Sequence, residues 1–169
     1  MTQSERSNAV PPAARSRTAH GLATAAAEGR FALQVCADCG TVQYPPREAC
    51  AACLSARLAW RDVPAGGQLI AATTLHVSTN SWFRAHLPWR IGAVVLDCGP
   101  SVIAHLHQNV AAGARVRMML RIDKSGHGVM LAMPAEDTPD IEDDRQFVAL
   151  TKDPDGRDFP PAEPIEEDP

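Results

Sequence analysis

The chain has 169 residues, a hydrophobic share of 45% and a formal net charge of −4. This length suits one domain or two small ones, and the apolar share is sufficient for a hydrophobic core. No run of about 18 apolar residues occurs, which excludes a membrane-spanning helix. The N-terminus lacks the charged-then-apolar order of a secretory signal, so we expect a cytoplasmic protein with reduced thiols.

The charge is divided unevenly along the chain. Residues 1–135 carry thirteen Lys and Arg against seven Asp and Glu, whereas residues 136–169 carry three against thirteen. A basic body with an acidic tail suggests that the body meets an anionic ligand or that the tail meets a basic one. The alternative is a solvated, disordered tail.

The N-terminal region predicts a short helix behind a flexible leader. Residues 1–17 are rich in Ser, Pro, Ala and Arg, which is typical of disorder. Residues 18–30 have high helix propensity, with Thr18 as the N-cap and Gly29 as the C-terminal stop. Because its apolar residues are mostly alanine, we expect this helix to pack against the body of the protein or against a partner.

Two Cys-x-x-Cys pairs follow the helix. Cys36 and Cys39 form the first pair, Cys50 and Cys53 form the second, and ten residues separate them. Two such turns facing each other make a tetrahedral four-sulfur site that suits Zn²⁺, and Gly40 supplies the positive φ that the first turn needs. Two disulfides or one redox pair are the alternatives, and the absence of a secretory signal disfavours both. Four thiolates leave no open coordination position, so the sequence predicts a structural zinc rather than a catalytic one.

Alternating apolar residues predict strands on both sides of the cysteines. Three short runs around the metal make a rubredoxin-like zinc ribbon over residues 31–61. Residues 62–135 then contain five strand-like runs, at 68–77, 91–97, 101–107, 115–122 and 129–133. Their short turns and one wide loop predict a five-stranded, closed OB-fold barrel. An SH3-like barrel or a sandwich would show a similar pattern.

The wide loop of the barrel, residues 80–90, is rich in aromatic and basic side chains. Trp82, Phe83 and Trp89 stand there beside Arg84 and Arg90. Exposed aromatics with arginines form binding surfaces for a protein partner or for single-stranded nucleic acid. Equally, the three aromatics could cover one end of the barrel.

Other reactive side chains predict no catalytic centre. Cys98 ends an apolar run beside Asp97, which raises rather than lowers a thiol pKa, so we interpret it as a small buried residue. His105 and His107 alternate on one strand and would share a face; a ligand or metal site there is the alternative to an ordinary half-exposed face. No phosphate-binding loop or nucleophile–base motif is evident.

The C-terminal region, residues 136–169, is acidic and contains six prolines. A helical piece is predicted around residues 143–150, where Phe147, Val148 and Leu150 form the apolar cluster of this region. This composition indicates an extended tail that becomes ordered on docking to a partner.

The order of these segments resembles a known family. Leu33-Gln34-Val35-Cys36 continues through Tyr44-Pro45-Pro46-Arg47 to Cys53, and a barrel pattern follows. This arrangement is similar to the zinc-ribbon/OB-fold proteins associated with acyl-CoA enzymes, and the likeness covers roughly residues 18–135. With its acidic extension, the chain looks most like the small subunit of benzylsuccinyl-CoA thiolase.

The resemblance implies a subunit without an active site of its own. Its expected partner is a thiolase-like catalytic subunit, in a hetero-oligomer such as α2β2, which cleaves benzoylsuccinyl-CoA with CoA to benzoyl-CoA and succinyl-CoA in anaerobic toluene degradation. Arg47, Arg84 and Arg90 are the candidates for contacts with the CoA phosphates, since guanidinium groups match phosphate geometry. An auxiliary subunit of an acyl-CoA aldolase, hydratase or acetyltransferase, a single-stranded nucleic-acid-binding module and a scaffold without a ligand are the alternatives.

Overall fold

The computed structural model describes residues 10–12, 16–136 and 139–152. Most of the predicted leader and the end of the acidic tail lie outside the described residues. A 3₁₀ turn at Arg17–Ala19 precedes three helices, which are α1 (His20–Ala27), α2 (Ser81–Ala85) and α3 (Arg145–Leu150), and a second 3₁₀ turn at Ile141–Asp143 leads into α3. The strands are β1 (Ala32–Cys36), β2 (Val42–Gln43), β3 (Leu58–Asp62), β4 (Gly66–Leu75), β5 (Trp89–Leu96), β6 (Ser101–Leu106), β7 (Arg115–Ile122) and β8 (Gly128–Pro134). No described helix has the length and apolar content needed to cross a membrane.

Helix α1, His20–Ala27, is shorter at both ends than the predicted residues 18–30, although the predicted glycine stop is present. Gly29 has φ +69° and its N–H bonds the carbonyl of Ala26 at 3.1 Å, which confirms the glycine stop. The predicted cap at Thr18 is wrong, because the hydroxyl of Ser16 accepts the N–H of Thr18 at 3.2 Å. The capped element is therefore the 3₁₀ turn that leads into α1.

Two glycines allow α1 to lie between the ribbon and the barrel. A Cβ at Gly21 would stand 2.0 Å from the indole of Trp60 in β3, and a Cβ at Gly128 would stand 2.6 Å from the backbone of Leu22. Leu22, Ala25 and Ala26 are buried in the same core as the barrel interior. The helix therefore packs on its own chain, and its small residues are what permit the close approach.

The barrel has the predicted OB-type closure. Its strand order is β4-β5-β6-β8-β7, and β7 pairs back onto β4 to close the ring. All pairings are antiparallel except β6 with β8, so the strands form a Greek-key barrel rather than a two-sheet sandwich. The register of β4 shifts between Leu69 and Ala71, and such a bulge bends a long strand around the barrel.

Apolar side chains form two separate cores. The first fills the barrel interior and extends to α1 and the ribbon through Leu33 and Trp60. The second lies on the outer side of β5 and β8, where α2 and α3 cover it. Its fully buried members are Trp82, Trp89, Val129, Leu131, Met133, Phe147 and Leu150.

The second core corrects the prediction for the acidic region. Phe147 and Leu150 are 0% and 1% exposed against their own barrel, so the prediction that they dock on a partner is wrong. Asp144 caps α3 and also accepts the N–H of Gln108 at 2.6 Å. The amide of Gln146 bonds both backbone groups of Arg90, at 2.6 and 2.8 Å. The free energy gained by burying these side chains offsets the unfavourable effect of the neighbouring acidic charges. Residues 153–169 lie outside the described residues.

Candidate metal centre

Two turns of the same shape carry the four cysteines. The N–H of Gly40 bonds the carbonyl of Cys36 at 3.0 Å, and the N–H of Leu54 bonds the carbonyl of Cys50 at 3.0 Å. Gly40 and Leu54 have φ of +74° and +62°. The sequence predicted the first turn from its glycine, but it offered no signal for a leucine in the same strained conformation at the second.

The turns bring the four sulfurs together in the arrangement that zinc requires. The Sγ atoms of Cys36 and Cys53 are 3.6 Å apart, as are those of Cys39 and Cys50. All four lie within 4.8 Å of one another. Tetrahedral coordination at a Zn–S distance of ~2.3 Å places sulfurs ~3.8 Å apart, whereas a disulfide needs ~2.0 Å. The site therefore fits Zn²⁺ and not a pair of disulfides.

The surroundings of the sulfurs favour a bound cation. Hydrogen bonds with the side chain and backbone of Thr41 lower the pKa of Cys39 to about 6, which supplies one thiolate. The backbone of Ser55 lowers the pKa of Cys53, but the neighbouring cysteine sulfurs and burial raise it to about 12. Four thiolates this close repel one another unless a cation lies between them.

Two buried glutamines lock the loop between the cysteine pairs. The Oε1 atom of Gln34 accepts the N–H of Arg47 at 2.8 Å, and its Nε2 donates to the carbonyl of Arg47 at 3.0 Å. Gln43 donates to Gln34 at 3.1 Å and accepts the N–H of Ala51 at 3.0 Å. In the sequence, Gln34 stands out only as part of a motif. The sole signal for its role is a polar residue on an otherwise apolar strand.

The family models that match this chain divide it into the same two units, a zinc ribbon and a barrel. Residues 23–59 match the family model described as the ChsH2 rubredoxin-like zinc ribbon domain, and residues 60–121 match the ChsH2 C-terminal OB-fold domain. Together these adjacent matches span more than half of the chain. The chain belongs to the ChsH2-type zinc-ribbon/OB-fold family.

Solved structures support the same fold for this ChsH2-type chain. A chain of the "Ltp2-ChsH2(DUF35) aldolase" superposes with a TM-score of 0.61 at 22% sequence identity. The likeness covers 74% of this chain and 99% of that one. No curated protein sequence matches significantly.

The three candidate CoA-binding arginines occupy different settings in the ChsH2-type fold. Arg47 is exposed on the loop between the cysteine pairs, and Arg84 is exposed on α2. Within the described part of the chain, neither guanidinium forms an ion pair or hydrogen bond. Arg90 instead donates to the carbonyls of His107, Gln108 and Val110 at 2.8–2.9 Å. Arg90 therefore holds the connector between β6 and β7.

The loop aromatics form a core rather than a binding surface. Trp82 and Trp89 are 2% and 0% exposed, and Phe83 packs edge-on against both at 5.0 and 5.2 Å between ring centroids. The interpretation that these rings cover the barrel is confirmed; Trp82 and Trp89 are too deeply buried to form a binding surface, whereas Phe83 is half-buried. The two buried tryptophans therefore offer no stacking surface for nucleic-acid bases.

The remaining candidate reactive residues, His105, His107 and Cys98, do not come together in one site. His107 lies past the end of β6 and is fully buried, with Nδ1 accepting the N–H of Asn109 at 3.1 Å. His105 accepts the indole N–H of Trp89 at 2.9 Å, so the two histidines do not form one site. Burial, with a smaller effect of Asp97, raises the pKa of the Cys98 thiol. Cys98 is half-buried, not buried as predicted.

Proposed function

We propose that this chain is the auxiliary, non-catalytic subunit of a cytoplasmic two-component acyl-CoA enzyme that cleaves a carbon–carbon bond. The observation that carries the proposal is the match of both units to ChsH2-type domains. The likeness to a chain of the Ltp2-ChsH2 aldolase, which contains two proteins, is consistent with it. The partner supplies the reacting groups.

The metal centre suits this role. Four cysteine ligands would leave Zn²⁺ without an open position for water or a thioester, as in structural sites. Cys36, Cys39, Cys50 and Cys53 would hold the ion, and its contribution is to stabilise the ribbon. Under this proposal, the chain contributes through surface contacts with its partner and with CoA, and not through a catalytic metal.

CoA contacts are assigned to Arg47 and Arg84. Both are exposed and both guanidinium groups are available, whereas the donors of Arg90 are directed to three backbone carbonyls. A free guanidinium forms paired, charge-assisted hydrogen bonds with phosphate oxygens. CoA would thus be a ligand shared with the partner.

Two partner chemistries are candidates. In the first, a thiolase-like partner uses free CoA to cleave benzoylsuccinyl-CoA, giving benzoyl-CoA and succinyl-CoA. In the second, favoured by the likeness to the Ltp2-ChsH2 aldolase, an aldolase-like partner cleaves a β-hydroxyacyl-CoA into a carbonyl compound and a shorter thioester. Thiolysis consumes one CoA per bond broken, whereas a retro-aldol cleavage consumes none.

The test copurifies the partner from the native host, then assays each subunit alone and both together by chromatography of thioesters. Product should require both subunits, and free CoA consumption distinguishes the two chemistries. Arg84→Ala should weaken CoA binding by ~1.5–3 kcal/mol, the size of one charge-assisted contact, whereas the exposed ribbon residue Arg61→Ala should not. Turnover by this chain alone, or full activity of the partner alone, would refute the proposal.

A further inference from the structure

A cavity of about 360 Å³ separates the start of α1 from the turn between β7 and β8. This volume lies within the ~300–1,000 Å³ of small-molecule sites. Arg17 and His20 line one wall, and Ser125 and His127 line the other, with Ser16 at the edge. Among the described residues no Asp or Glu lines this cavity; alanines and glycines make much of its wall apolar, and Arg17, two histidines and two serines supply its polar groups.

A buried carboxylate orients the histidine on the second wall. Asp123 is fully buried, and its Oδ1 accepts the N–H groups of Ser125 and His127, both at 2.9 Å. The hydroxyl of Ser125 donates to the same oxygen at 2.7 Å and lies 2.9 Å from Nδ1 of His127. Because the hydroxyl hydrogen is directed to the carboxylate, Nδ1 must be the donor to Ser125.

Because Nδ1 of His127 is engaged with Ser125, Nε2 is the ring nitrogen that is left to contact a ligand. With its proton on Nδ1, the neutral ring presents Nε2 as an acceptor for a P–OH or hydroxyl group of a ligand, whereas a ring that carries both protons donates from Nε2 to a phosphate oxygen. In the described part of the chain, Nε2 forms no hydrogen bond. The Asp123–Ser125–His127 chain therefore fixes the tautomer and the orientation of this ring on the β7–β8 turn.

The opposite wall contains Arg17. Arg30, Arg57 and Arg115 each form an ion pair with a nearby carboxylate. Within the described residues, Arg17 is exposed and forms no such pair. The guanidinium of Arg17 on one wall matches the oxygens of a phosphate group, and the imidazole of His127 lines the opposite wall.

A second cavity of about 160 Å³ shares Gly128 with the first. Leu22, Ile103 and Met130 line it together with the polar side chains of Tyr44 and His105, so its wall is of mixed polarity. Gly128 permits this arrangement because a Cβ there would meet the backbone of α1. An uncharged part of a ligand could extend in this direction.

We propose that this cavity binds the phosphate groups of a phosphorylated small molecule, with Arg17 and His127 as the main contacts and His20 as a third. The inference stands apart from the proposed function, because it concerns this chain alone and needs no acyl-CoA chemistry. It assigns a ligand site to α1 and the β7–β8 turn, whereas the CoA candidates Arg47 and Arg84 lie on other elements.

The experiment titrates the full zinc-loaded chain, without partner, with inorganic phosphate, pyrophosphate and ADP. Binding is measured by calorimetry and by the NMR signals of the histidine rings. Pyrophosphate should shift the rings of His127 and His20, and Arg17→Gln should weaken its binding about tenfold or more, as expected for a lost charge-assisted contact. The matched variant Arg61→Gln, an exposed arginine of the ribbon, should bind as the unaltered chain does.

The three probes separate the sources of the phosphate. Tighter binding of ADP than of pyrophosphate indicates a nucleotide, and equal affinity indicates recognition of the phosphates alone; either result supports the site. Zinc content and the unfolding midpoint verify that each variant is folded. Should His127→Gln unfold the turn, His20→Gln provides the second measurement on this site. No shift of the histidine signals, or equal weakening by Arg17→Gln and Arg61→Gln, would overturn the proposal.

Discussion

Replacing Phe147 by Ala tests whether the acidic C-terminal region is part of the folded domain. Phe147 is 0% exposed and packs in the second core with Trp82, Trp89 and Leu131. Its ring also meets that of His107 edge-on, 5.7 Å between centroids. The side chain therefore anchors α3 to the outer side of the barrel.

The expected cost follows from the burial. A phenylalanine buries ~150–250 Å², which at ~25 cal/mol per Å² corresponds to ~4–6 kcal/mol as an upper bound. Phe→Ala substitutions in cores cost about 3–5 kcal/mol. We expect Phe147→Ala to lower the free energy of unfolding by that amount. Its neighbour Val148 is half-buried, and Val148→Ala should cost about 1 kcal/mol or less, because less surface is lost and alanine has the higher helix propensity.

Urea unfolding followed by tryptophan fluorescence measures both variants. The indoles of Trp82 and Trp89 lie in the same core as Phe147, so their emission reports on this region. Zinc content is measured in parallel, and it should stay at one ion per chain in the folded state, because the four cysteines lie outside this core. If Phe147→Ala costs no more than Val148→Ala, α3 does not contribute to the fold and the reasoning is refuted.

Three further predictions concern the ribbon and the barrel rim. Cys50→Ser should lose zinc and solubility together, whereas Cys98→Ser should keep one zinc per chain by metal analysis; retained zinc in the first variant would contradict the four-cysteine site. Leu54→Gly should raise the unfolding free energy by about 0.5–1 kcal/mol, because the strain of ~1–2 kcal/mol at a positive φ exceeds the entropic cost of glycine. Leu54→Ala, which keeps that strain, should show no such gain in the same denaturation assay. Hydrogen bonds from Arg115 lower the pKa of Asp97, so their contribution is complete above the unfolded value of about 3.9 and is lost as the pH falls through the lowered value. Asp97→Asn should remove this part of the pH dependence, and identical acid profiles of the two proteins would contradict it.

The local features of this protein could be determined from its sequence. The spacing of Cys36, Cys39, Cys50 and Cys53 predicts the metal centre because each pair forms its turn within four residues. Gly29 and Gly40 marked a helix end and a turn, since positive φ is a property of single residues. The strands of the barrel were predicted from the alternation of neighbouring residues, which is also a local pattern; all five are present, four of them with shifted ends.

Features that depend on distant contacts required the tertiary structure. Trp82, Trp89 and Phe147 form one core although 64 residues separate the first from the last, because all three pack in one cluster with Val129, Leu131 and Met133 of β8. Local composition is misleading there, because an acidic region with prolines is typical of disorder. The outer side of β8 supplies the apolar surface that orders residues 139–152, and no local pattern reveals it.

The surroundings of the arginines and histidines likewise could not be predicted from the sequence alone. Arg84 and Arg90 stand six residues apart in one loop, yet only the fold directs one guanidinium to three carbonyls and leaves the other exposed. His107 follows the alternation of β6 in the sequence, but it lies beyond the last paired residue and is buried beside α3. Which polar group is free for a ligand depends on the backbone carbonyls and rings that folding places around it. That placement arises from strand pairings across the barrel, which are contacts between residues far apart in the chain.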